Sequence, residues 1–160
     1  MFIVSDSGPI LSFARAHYLD LLQRVVHELI IPGIIYQEIV VRGKEKPGAE
    51  KVREGSWIKC KHIRDRAFVE ELPQKLHLGE REALALAKEL GAVLLVDERE
   101  ARNEARRLGI DHIGSLLILK EAKEQEFMPT IKPILDELIA TGTYISDTLY
   151  QSFLEEIGEV

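Results

Sequence analysis

Strand-like runs punctuate the chain at FIVS (2–5), ELII (28–31), WIKCKHI (57–63) and VLLV (93–96), with a weaker one near His112 and Ile113. Runs of four to eight such residues bounded by turn signals predict strands. Between and after them apolar residues recur three and four apart, which predicts helices. These are PILSFARA from Pro9, LDLLQRV from Leu19, PGIIYQEIVV from Pro32 and LGEREALALAKEL from Leu78. EREARNEARRL from Glu98, GSLLILKEAKE from Gly114, TIKPILDELIA from Thr130 and SDTLYQSFLEEI from Ser146 follow. Pro9 and Pro32 fall in first helical turns, and Gly91 and Gly109 fall where helices stop. Alternating strands and helices imply an α/β layer fold, and short crossovers between buried runs of the VLLV type imply a mainly parallel sheet. No repeat or linker divides the 160 residues, so they predict one domain, with the helices from about residue 130 packing on its core.

Open parallel sheets bind ligands at the carboxyl ends of their strands, which directs attention to Asp6 after FIVS and Asp97 after VLLV. Each aspartate alone reads equally well as a helix N-cap. Together, at the same end of neighbouring strands, they repel unless a cation lies between them. On a helical projection of about 100° per residue, Glu38 falls on the apolar arc of Ile34, Ile35 and Val41, with Arg42 one turn on as a candidate salt-bridge partner. On the same projection Glu80 lies with Ala83, Leu84 and Ala87, whereas Glu82 points outward beside Glu89. Glu80 also reads as a partner of its helix dipole. Two inward glutamates and two strand-end aspartates form a set that a hard divalent cation compensates most simply.

Charge and composition narrow the chemistry further. The formal net charge is −6, yet residues 42–66 carry nine Lys/Arg against four acids, a balance of +5 that leaves −11 for the remainder. A basic segment beside a carboxylate-rich body suits a protein that attracts phosphate while holding a cation, although a solvated helix surface reads the same way. The single cysteine, Cys60, excludes an intrachain disulfide and fits a reducing cytoplasm. The first residues lack a basic n-region, and Pro32 and Gly33 interrupt the other long apolar stretch, so neither export nor membrane insertion is expected. Dinucleotide, Walker A, nucleophile-elbow and zincin motifs are missing, and the five histidines lack ligand spacing. A phospho-acceptor receiver is disfavoured, because Asp6 is followed by Ser-Gly-Pro.

SDSGPILSFARAHYLDLL, IPGIIYQEIV, LHLGEREALALAKELG and VLLVDEREARNEARRLGIDHIGSLLILKEAKE, in this order and spacing, resemble a PIN-domain protein. With the C-terminal IKPILDELIATGTYISDTLYQSFLEEIGE, they resemble the branch of predicted nucleic-acid-binding proteins related to VapC-type toxins. The resemblance implies a three-layer α/β/α fold and an acidic pocket holding Mg²⁺ or Mn²⁺ on Asp6, Glu38, Glu80 and Asp97. Glu80 stands where those toxins usually carry aspartate, and its extra methylene lengthens its reach. Ser7 matches a hydroxyl residue supporting the first acid, Glu98 a second acid beside Asp97, and Arg102 an arginine one turn further on. The implied activity is hydrolysis of RNA to 5′-phosphate and 3′-hydroxyl ends, with a non-catalytic RNA-binding or regulatory module as the alternative. A homodimer, with an apolar patch on the C-terminal helices as its contact, and a small antitoxin partner are implied as well.

Overall fold

The computed structural model describes residues 2–160. Among the described residues five strands form one sheet: β1 (Ile3–Ser5), β2 (Leu29–Pro32), β3 (Ile58–Lys61), β4 (Val93–Leu95) and β5 (His112–Ile113). They lie in the order β3-β2-β1-β4-β5, and every pairing is parallel. All five coincide with the strand-like runs of the sequence. Parallel strands need crossovers, and helices supply them. α1 (Ser7–Arg15) and α2 (Leu19–Val26) join β1 to β2, and α3 (Gly33–Tyr36) and α4 (Ala49–Glu54) join β2 to β3. α5 (Arg66–Glu71) and α6 (Leu78–Leu90) lead to β4, α7 (Arg99–Leu108) to β5, and α8 (Ser115–Glu124), α9 (Lys132–Ala140) and α10 (Asp147–Glu156) follow. α6 lies across β1, β2 and β4 with α5 and α7 beside it, while α1, α2, α8 and α9 pack together, giving a three-layer α/β/α architecture.

Leu29, Ile30 and Ile31 of β2 and Leu94 and Leu95 of β4 are buried, as strands covered on both faces must be. Phe13, Leu22, Leu84, Ile118, Leu135 and Phe153 reach the same apolar core from both halves of the chain. α6 and α7 end at Gly91 (φ 61°) and Gly109 (φ 71°), left-handed positions that glycine takes without the Cβ penalty.

Two features differ from the sequence reading. α4 and α5, six residues each, are additional helices inside and beside the basic segment. The helix that begins at Gly33 does not stay α-helical: Gln37–Arg42 form a π-helical turn. A π turn accommodates an extra residue per turn, so the angular pattern shifts. Ile39 and Val40 are consequently buried, and Val41, expected on the apolar arc, is 52% exposed. The same change explains why Arg42 makes no ion pair with Glu38 among the described residues: the i, i+4 geometry it required is lost. Among the described residues, no helix is long and apolar enough to cross a membrane.

Candidate active site

The strand order reverses between β1 and β4, since the chain runs outward from β1 to β3 and then returns to β1's other side. Asp6 and Asp97 follow the carboxyl ends of these two strands, the place where open parallel sheets form a binding crevice. The Asp6 amide donates to the Leu95 carbonyl at 3.0 Å, which ties the first aspartate to β4. Asp6 occupies the N-cap position of α1 but makes no side-chain cap bond, and Glu98, not Asp97, is the N-cap residue of α7.

Asp6 is buried, and the charges that shift its carboxyl among the described residues, Glu80, Glu38 and Asp97, are all negative. Burial pushes its carboxyl from the ordinary 3.8 up to about 7. The Ser7 backbone amide pulls it down, while the carboxylates of Glu80, Glu38 and Asp97 each push it higher. The four acids singled out in the sequence therefore share one electrostatic environment, although they come from four separate segments.

Two helix N-termini fit around the other acids. A Cβ on Gly79 would lie 3.0 Å from Glu38 Oε1, so with glycine there the first turn of α6 approaches that carboxylate without displacing it. A Cβ on Gly114 would meet Asp97 Oδ1 at 3.0 Å and the Arg102 guanidinium at 2.5 Å, so a side chain there would force the Arg102 guanidinium to move. Asp97 accepts from the Ser115 amide at 2.7 Å and from the Ser115 hydroxyl at 2.5 Å. Glu80 Oε1 accepts the His77 amide at 2.8 Å, closing the first turn of α6.

With Asp97 and Glu80 held in this way, no group of three or more His, Cys, Asp or Glu side chains among the described residues forms a ready-made metal site. The donor chemistry nevertheless suits Mg²⁺ or Mn²⁺. All four groups are oxygen donors, and a buried Asp6 without a countercharge among the described residues is the deficit that a hard cation removes.

Glu82 corrects the helical projection. It is 7% exposed rather than outward, and Arg66 covers it at 3.1 Å. The cause is α5, which packs on α6 and buries a face that a bare helix would leave in solvent. The basic segment is also partly neutralised, since Lys51, Arg53, Lys59 and Arg66 each pair with an acid. Arg42 and Lys46, with Arg15, instead line a small pocket beside Glu38. Glu98 is exposed next to Asp97, and Arg102 packs against Gly114. Gly79, Gly114 and Ser115 were not singled out as site residues in the sequence. The available signal was a glycine at each helix start, in HLGE and HIGS.

A family model described as a PIN domain matches residues 2–159. Among solved structures, a PilT N-terminus domain protein from the hyperthermophilic archaeon Sulfolobus solfataricus P2 aligns with a TM-score of 0.56 at 15% identity. The alignment covers 91% of this chain and 98% of that one, a likeness of fold. No curated protein matches the chain.

Proposed function

The chain belongs to the PIN-domain family, and from that premise we propose that it is a Mg²⁺- or Mn²⁺-dependent ribonuclease acting through Asp6, Glu38, Glu80 and Asp97. One observation carries the reading: Asp6 is buried at the switch point of the sheet, with three further carboxylates acting on it and no countercharge among the described residues. Structural acids are normally paired, so such a set is costly unless a cation completes it. When bound, the cation supplies Lewis acidity toward the phosphate and lowers the pKa of a water.

The chain's own residues prepare the site. Ser115 engages both oxygens of Asp97 and so holds that carboxylate in one orientation, as hydrogen-bonded supports hold metal ligands. The His77 amide holds one oxygen of Glu80, leaving the other uncommitted among the described residues. Gly79 keeps the first turn of α6 against Glu38. Ser7 supports Asp6 through its amide, Glu98 adds an acid beside Asp97, and Arg102 stands where it can meet a substrate phosphate.

A second reading has its own support. The hydrogen bonds that already engage Asp97 and Glu80 suit a non-catalytic RNA-binding module that keeps the pocket. Incubation of structured and single-stranded RNAs with wild type and Asp97→Asn, in Mn²⁺, Mg²⁺ or EDTA, separates the two. The nuclease reading expects metal-dependent cleavage that the variant loses while its circular dichroism stays native. Fully active Asp97→Asn sinks it, and RNA binding without cleavage by either protein favours the module.

The finer placement beside VapC-type toxins, with a homodimer and a small antitoxin, rests on the sequence resemblance. Co-purification of a small partner and a dimeric sedimentation coefficient are its expected signs.

A further inference from the structure

A groove of about 540 Å³ opens from Asp97 and runs between α7 and the 141–146 segment before α10. One wall presents Arg99, Arg102 and Arg106 with Asn103. The arginines are three and four residues apart, so they share one face of α7 and extend over about 10 Å of its axis. None of them forms an ion pair with a carboxylate among the described residues: Arg106 donates to Asn103 at 3.1 Å, and the Arg102 guanidinium packs against Gly114. The neighbouring acids are engaged elsewhere, Glu100 with Lys75 and Glu104 with Arg107. The far wall carries Tyr144, which is 88% exposed.

Three unpaired guanidiniums in a row call for several negative charges along a line rather than one anion. An aromatic ring left in water beside them offers a stacking platform. Duplexes keep their base faces covered, whereas a single strand presents them. We propose that this groove binds a single-stranded polynucleotide, with Arg99, Arg102 and Arg106 on successive phosphates and Tyr144 stacked on a base, and delivers it to Asp97. The proposal deepens the nuclease reading by naming the strand's path, but it concerns binding and is measured without cleavage.

Fluorescence polarisation in EDTA tests it, with a labelled single-stranded RNA dodecamer and the corresponding duplex. Wild type, Tyr144→Ala and the double variant Arg99→Gln/Arg106→Gln are compared after circular dichroism shows native folding. Tyr144→Ala is expected to weaken single-strand binding about tenfold without altering the salt slope. The double variant is expected to lower the magnitude of the log–log salt slope by about 1.4. Unchanged affinity and slope in both variants overturn the proposal. So does a changed sedimentation coefficient with unchanged RNA affinity, which makes the groove a contact between copies. Cleavage in Mn²⁺ is scored separately. Variants that cut normally and bind RNA as wild type does remove the groove and leave the nuclease. Groove-dependent binding without cleavage by any protein removes the nuclease and leaves the groove.

Discussion

Asp6 carries its carboxyl into the protein without a countercharge among the described residues, and the consequence is measurable as stability. Its pKa in the fold, about 7, lies above the ordinary 3.8, so between those values the native state holds more protons than the unfolded chain. Stability therefore falls as pH rises through this window, and the cost is complete above pH 7. Asp6→Asn removes that cost: in EDTA at pH 8 the variant should melt roughly 5 °C above wild type, with the gap closing near pH 4. Equal melting temperatures at pH 8 would show that Asp6 is not under this load. Ser115 is a positioning residue for Asp97. If the nuclease reading holds, Ser115→Ala should lower cleavage by about 10- to 100-fold, while Ser115→Thr, which keeps the hydroxyl, retains most of it. Glu80 and Glu82 separate on different grounds. Glu82→Gln, which leaves Arg66 without its buried acid, should reduce the melting temperature but spare cleavage, whereas Glu80→Gln should do the reverse. At this scale the two aspartates were legible because a strand end fixes where a side chain emerges. Ser115 was not, because its role exists only once β4 and the start of α8 are brought together.

Among the elements, the π turn at Gln37–Arg42 shapes the site most directly. It holds one residue more than an α-helical turn, and Glu38 lies within it, against Gly79 of α6. Deletion of Gln37 should restore regular α geometry and carry Glu38 into the exposed place that Gln37 occupies. The expected result is native circular dichroism with loss of Mn²⁺ binding and of cleavage. Retained activity would show that Glu38 need not face the crevice. The strands and eight helices were legible because each spans enough residues for its period to register. α4 and α5 were not, since six residues among charged neighbours give barely a turn and a half of pattern. Missing α5 had a further effect, because α5 is what buries Glu82. The projection of Glu38 placed Val41 wrongly for a related reason: a fixed angle per residue assumes a helix type that the chain does not keep.

Across the whole molecule, charge is divided rather than averaged. A net charge of −6 coexists with an acidic crevice at the sheet's switch point, Arg15, Arg42 and Lys46 beside Glu38, and the arginine face of α7 beyond Asp97. The parallel topology produces this arrangement by bringing four acids from distant segments to one end of the sheet. The parallel sheet was readable from periodicity and the nearness of Asp6 and Asp97 from the sheet, whereas Glu38 and Glu80 were picked out by helical projection. The hydrogen bonds that hold Asp97 and Glu80 could not be read in the same way, because they depend on helix starts whose placement is set by packing. Divalent-cation uptake by this acidic set is measured by calorimetric titration with MnCl₂ at pH 7.5. Saturable binding by wild type, lost in both Asp6→Asn and Asp97→Asn while all three proteins melt cooperatively, is the predicted result. Folded wild type that takes up no Mn²⁺, or variants that bind it as wild type does, would contradict the proposed uptake.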